Sequence, residues 1–268
     1  MHLAAAHVLG VHVKNPALKE RFEQFMSILK GAENIDGLMK QCVLPGRQRA
    51  DYLAFDRRVI IEQKSLDVNP DYKIQKFIDD LMKTRGIIGY GRVSLDQILL
   101  QLPDGQNLKK QLYQKLTQGI DDILAKADKQ TRDTRTTFLL PYAIGVVVIL
   151  NDGAQVIGPD FVCVKAFDML RLRLPTGEIR YPQNQVVILI SEAHRVLVDH
   201  PAEVIPIETI FSDSGNQLPI ATHYTDMLKQ RWAEFNKASY IESSNQTRDV
   251  RTREPMKPFN APSPKSLG

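Results

Sequence analysis

Residues 50–65 read ADYLAFDRRVIIEQKS. The stretch begins as a strand, turns at Phe55-Asp56-Arg57-Arg58, returns as the apolar run Val59-Ile60-Ile61, and then breaks into Glu62, Gln63 and Lys64. Two apolar arms around a charged turn predict a β-hairpin, with arms near 50–55 and 58–64. If Asp56-Arg57 is a two-residue loop, Phe55 pairs with Arg58, Leu53 with Ile60, and Asp51 with Glu62. Directly opposed residues project from one face with Cβ atoms about 4.5–5.5 Å apart. Lys64, two residues beyond Glu62, points the same way. Any even loop length keeps these three groups together, whereas an odd length separates Asp51 from the other two.

Two carboxylates placed opposite each other repel. Lys64 offsets part of that repulsion, and a divalent cation would offset more. Mg²⁺ is commonly held by one or two carboxylates, waters and phosphate oxygens. Such an ion polarises a phosphodiester and acidifies its bound water, while a nearby ammonium positions that water or stabilises developing charge. A plainer arrangement also satisfies the pattern: a cross-strand salt bridge between Asp51 and Lys64, with Glu62 solvated at the strand end.

Outward from this hairpin, residues 15–30 read as a helix. Asn15 caps it, Pro16 suits its first position, and Leu18, Phe22, Met26 and Leu29 form its apolar stripe. A short strand is expected at 41–44. After the hairpin the pattern turns helical, with Ile74, Phe77, Ile78 and Leu81 on one face. Ser94 caps a short helix that ends at Pro103. A longer helix is expected over about 107–129, and Ala143 to Leu150 reads as a strand buried on both faces. Beyond Asn151-Asp152-Gly153 strands are expected at 161–166, 170–174, 178–181, 186–191 and 204–211, then a helix near 223–236. The polar, Ser- and Pro-rich residues 237–268 read as an extended tail.

Asp51, ten intervening residues, then Glu62-Gln63-Lys64 at the end of an apolar strand resembles the signature of the PD-(D/E)XK nuclease superfamily. The element order also resembles that family's restriction-endonuclease-like αβββαβ core, an α/β fold with a mixed central sheet flanked by helices. The resemblance covers roughly residues 15–150, within a nuclease-like core of 1–150, allowing for a helical insertion near 70–103. It leaves 151–236 as a β-rich C-terminal extension for recognition or dimerisation. It implies that Asp51 and Glu62 ligate Mg²⁺ or Mn²⁺ together with the backbone carbonyl of Gln63. Lys64 would serve the attacking water in phosphodiester hydrolysis. Many members add a carboxylate from the first helix, for which Glu23 is the better candidate and Glu33 the alternative. The implied partner is nucleic acid, DNA favoured over RNA, in restriction, recombination or antiphage defence; a catalytically inactive nucleic-acid-binding or assembly protein on the same fold is the alternative. The proline that often precedes the first Asp is replaced here by Arg49-Ala50. Gln111 is not followed by a tyrosine four residues on, as it is in some subgroups.

Composition agrees with a folded protein of ordinary kind: 268 residues, 43% hydrophobic and 25% charged, with a net charge of +4 that permits an anionic partner. Arg47, Arg49, Arg57 and Arg58 flank the acidic residues and are the candidates for phosphate contacts. Two distant cysteines, Cys42 and Cys163, make no disulfide framework, so a reducing, cytoplasmic setting is expected. No apolar run reaches the roughly 20 residues of a membrane span, and the N-terminus lacks the pattern of an export signal. Glu192, His194, Asp199 and His200 have no metal-site spacing, so their histidines read as exposed loop residues. A homodimer or a partner subunit is compatible with this pattern.

Overall fold

The computed structural model describes residues 16–39, 48–66, 71–86, 99, 102–155, 157–194, 196–197, 203–216 and 219–240. Its elements are α1 (Leu18–Ile28), β1 (Glu33–Asn34), α2 (Ile35–Met39), β2 (Tyr52–Ala54), β3 (Val59–Ser65), α3 (Asp71–Arg85), α4 (Gly105–Phe138), β4 (Ile144–Asn151), α5 (Pro159–Leu170), β5 (Val186–Ser191), β6 (Val196–Leu197), β7 (Glu203–Val204), β8 (Ile207–Phe211), α6 (Asp213–Asn216) and α7 (Pro219–Phe235). The strand expected at 41–44, and most of the helix expected before Pro103, lie outside the described residues.

A mixed six-stranded sheet, ordered β1-β2-β3-β4-β5-β8, forms the centre. β1, β2 and β3 run antiparallel, β3, β4 and β5 parallel, and β8 antiparallel to β5. All eight residues of β4 and all six of β5 are buried, as unbroken β-branched runs require in the middle of a doubly covered sheet. One face packs against α1 and α7, where Phe22, Phe25 and Trp232 meet with ring centroids 5.4–5.8 Å apart. Each such buried aromatic contributes on the order of 2–3 kcal/mol. The other face packs against α4 and α5 through Ile120, Leu124, Val162 and Ala166. The α/β class and the flanked mixed sheet agree with the sequence reading. No helix among the described residues is long and apolar enough to cross a membrane.

Two stretches differ from expectation. Strands were expected at 161–166 and 170–174, but 159–170 is a helix. Its buried residues Val162, Cys163, Ala166, Met169 and Leu170 follow a helical spacing, with Pro159 at the first position and Asp160 in the first turn. Residues 178–181 form no strand; a single bridge joins Arg173 to Ile179. Among the described residues, the segment expected to be β-rich therefore supplies two strands to the same sheet and also carries three helices. Helix α4 runs on to Phe138, well past the expected end near 129. Its apolar stripe gives way to Asp128, Thr131 and Thr134, all buried, where the helix crosses the strands that carry the acidic residues.

Candidate functional site

The hairpin forms with the expected register, Leu53 opposite Ile60, but through a different loop. The strands end at Ala54 and resume at Val59, leaving the four-residue connection Phe55–Arg58. Four is even, so the register survives. Phe55, Asp56 and Arg57 all take left-handed φ angles, +52°, +54° and +65°, a costly conformation for residues with a Cβ. Contacts outside the loop hold it: the Phe55 ring stacks on Tyr224 at 4.7 Å, and Arg57 makes a bidentate pair with Glu33, both bonds at 2.8 Å.

The pairing changes at Asp51. Its N–H donates to the Ile61 carbonyl at 3.2 Å, although Ile61 is already the partner of Tyr52. Asp51 and Tyr52 thus both oppose Ile61, which is a β-bulge. The Asp51 carbonyl turns the other way and accepts the Ile35 N–H at 3.0 Å. The expected facing pair of Asp51 and Glu62 is therefore replaced. Asp51 Oδ2 instead accepts the backbone N–H of Gln63 at 2.7 Å, so its carboxylate continues the ladder where β2 stops.

Glu62 lies on the α4 side of β3 and is fully buried, unlike the solvated strand-end residue of the plainer reading. Its Oε1 forms an ion pair with Lys64 Nζ, and Lys64 is 25% exposed. Burial, and then the nearby Asp51 charge, push the Glu62 carboxyl up to about 8, while Lys64 and the Gln130 amide act in the opposite direction. Asp51 is raised as well, first by burial and further by Asp36, while the Gln63 N–H, Lys64 and Lys19 favour its ionised form. Asp51, Glu62 and Lys64 are thus one electrostatic unit, as the sequence pattern suggested, although the bulge rather than a facing pair assembles it.

Helix α4 holds the approach to this unit. Gln130 Nε2 donates to the Arg49 carbonyl at 2.7 Å, Thr134 Oγ1 accepts the Ala50 N–H at 2.9 Å, and Asp133 Oδ2 accepts the Gln48 N–H at 3.2 Å. Three side chains of one helical turn therefore fix the backbone leading into Asp51. Sequence reasoning missed them, and missed Asp36 and Lys19. The one available signal was the polar interruption of the α4 stripe at Gln130, Thr131 and Thr134.

The remaining expected residues fall apart spatially. Glu23 is exposed on α1; with Asp51 and Asp36 it raises the Tyr52 phenol, after burial, but it is not among the charges that act on Asp51 or Glu62. Glu33 is engaged by Arg57. Arg57 and Arg58 sit at the far end of β3; at about 3.3 Å per residue, Arg58 is roughly 20 Å along the strand from Lys64. Arg58 donates to the Tyr224 hydroxyl at 3.3 Å. Arg49 is half-buried beside the acidic unit, and Arg47 lies outside the described residues. Among the described residues no group of three or more His, Cys, Asp and Glu side chains stands ready to hold a metal ion.

His194 is buried, not an exposed loop residue. Its Nδ1 is 2.8 Å from Ser191 Oγ and its Nε2 2.9 Å from the Gln155 carbonyl, and Asn151 Nδ2 donates to Ser191 Oγ at 3.1 Å. A neutral ring with hydrogen on Nε2 satisfies all three contacts. Asp199 and His200 lie outside the described residues. Comparison with known proteins returned no matching family model, no matching curated protein and no matching solved structure.

Proposed function

We propose that this chain is a metal-dependent nuclease of the PD-(D/E)XK kind, acting on phosphodiester bonds in nucleic acid, DNA favoured. The observation that carries the reading is the placing of half-buried Asp51 and fully buried Glu62 beside Lys64. Two carboxylates share a desolvated place at a strand end, and each is harder to ionise for being there. A divalent cation resolves that conflict, and two carboxylates suffice for Mg²⁺ or Mn²⁺, which keep several waters. Asp51 and Glu62 would hold the ion, with the Gln63 carbonyl as a further oxygen donor, and the ion would supply Lewis-acid polarisation of the phosphate. Lys64 Nζ, partly exposed beside Glu62, would orient the attacking water and stabilise the charge that develops on the phosphate. Gln130 and Thr134 keep Asp51 in place. The restriction-endonuclease-like core, and a setting in restriction, recombination or antiphage defence, belong to this same proposal.

A second reading keeps the fold and drops turnover. It is favoured by the Lys64–Glu62 ion pair, which already neutralises Glu62 without a metal. The two separate in one experiment. Plasmid and single-stranded DNA are incubated with the protein in Mg²⁺, Mn²⁺ or EDTA, beside Asp51→Ala and Lys64→Ala. Metal-dependent cleavage lost in both variants supports the nuclease. Binding without cleavage by the wild type supports the second reading, and neither binding nor cleavage removes both.

A further inference from the structure

The carboxyl ends of β3 and β4 frame a cleft of about 380 Å³, lined by Leu18, Lys19, Ser65, Leu66, Leu150 and Gly153 among others. Its volume falls in the roughly 300–1,000 Å³ range of ligand clefts, and the crevice outside the carboxyl ends of parallel strands is where open α/β sheets bind ligands. It begins at Ser65, the residue after Lys64, and at Leu150, the partner of Ser65 on β4. Lys19 is exposed on its rim and makes no ion pair among the described residues. The cleft thus lies at the end of the strand that carries Glu62 and Lys64, with Leu18 and Leu150 on the α1 side of the sheet.

The walls divide the labour. The Asp152 carboxylate also lines the cleft, and its Oδ2 accepts the Leu18 N–H at 3.1 Å, so the positive end of α1 is already neutralised. A phosphate placed deep in the cleft would face that carboxylate. The floor of Leu18, Leu66 and Leu150 suits a flat, uncharged ring instead. Lys19, at the rim, is the cation left for a phosphate.

We infer that this cleft is the subsite for the nucleotide next to the reacting phosphodiester, taking its base and sugar inside and its phosphate on Lys19. The inference rests on the nuclease reading and adds to it the place and class of the bound substrate unit.

The test measures binding of a labelled oligodeoxythymidylate of about eight residues by fluorescence anisotropy, in EDTA so that cleavage does not interfere. Lys19→Ala removes one exposed cation. It should weaken binding about 5–10-fold at 0.1 M salt and reduce the slope of log K against log salt by about 0.7, the change for one lost single-strand phosphate contact. A purely structural role would not move that slope. Gly153→Trp fills the cleft: a Cβ at Gly153 meets nothing within 4 Å, so the larger side chain has space. It should weaken binding at least about tenfold with the slope unchanged, its melting temperature confirming that it folds. If the wild type binds and cleaves DNA while Lys19→Ala leaves affinity and slope as they were, the subsite assignment is wrong and the nuclease reading stands. If the wild type neither binds nor cleaves, both fall.

Discussion

Replacing Glu62 by glutamine should stabilise the protein above neutral pH and do little in acid. Glu62 is fully buried, and its carboxyl is raised from an ordinary 4.5 to about 8 by burial and by Asp51. The folded chain therefore holds this proton more tightly than the unfolded chain does. Between about 4.5 and 8 the folded state binds more protons, so stability is fully present below that window and falls as the pH rises through it. Each unit of difference is worth about 1.4 kcal/mol, which sets a ceiling near 5 kcal/mol across the window. Glutamine keeps the shape and the hydrogen-bonding oxygen but does not titrate. Urea unfolding of both proteins at pH 5, 6.5 and 8, in EDTA, should give curves that agree at pH 5 and separate by at least about 1–2 kcal/mol at pH 8, with the variant ahead. Added Mg²⁺ should then recover stability at pH 8 for the wild type alone, since only the carboxylate gains a cation. A difference between the two proteins that stays flat from pH 5 to 8 would refute the claim that Glu62 titrates in a buried, acidic site.

Other positions make separate demands. Gly145→Ala should cost about 1–3 kcal/mol in denaturant unfolding, because its Cβ would lie 1.9 Å from the Gln183 carbonyl oxygen, whereas Gly153→Ala meets nothing and should be close to neutral. Ser191→Ala should cost about 1–3 kcal/mol by leaving buried His194 Nδ1 without its donor. The pH dependence there has the opposite sign to that of Glu62: burial lowers the His194 ring below 6.5, so its contribution is present above that value and is lost on acidification, which melting temperatures at pH 5 and 7.5 would register. Gln130→Leu should leave the part-buried Arg49 carbonyl without this donor. It should reduce any nuclease activity at least about tenfold while far-ultraviolet circular dichroism stays unchanged, and an unchanged rate would remove Gln130 from the positioning of Asp51.

The hairpin was legible because two apolar arms around a charged turn are a local signal, and its even register held even though the loop has four residues. The bulge at Asp51 was not legible. It depends on which backbone groups Asp51 meets, and those belong to Ile35, Ile61 and Gln63. For the same reason, nothing near Arg49 announced that Gln130 and Thr134, more than eighty residues away, would hold that segment. Helix α5 was misread because FVCVKA suits a strand over six residues; Pro159 before it and Met169-Leu170 after it complete a helical pattern only over twelve. His194 was misread through its polar neighbours. Its burial comes from Ser191 and from Gln155, on a loop after a different strand.

The cost of Glu62 separates the two functional readings. A buried ion pair that serves stability alone is a poor investment of sequence, since well-packed apolar residues often do as well or better. Here the cost is higher than for a lone pair, because Asp51 adds a second carboxylate to the same place and raises Glu62 further. β3 shows what stability alone selects: of its four buried residues, Val59, Ile60 and Ile61 are apolar, and only Glu62 departs from that pattern. If the role were structural, Glu62→Leu with Lys64→Met should be neutral or stabilising and leave any nucleic-acid binding intact. For a metal-dependent nuclease, the same double variant should be at least as stable at pH 8 and should lose metal-dependent cleavage entirely. The stability measurement thus gives the same answer for both readings, and the cleavage measurement separates them.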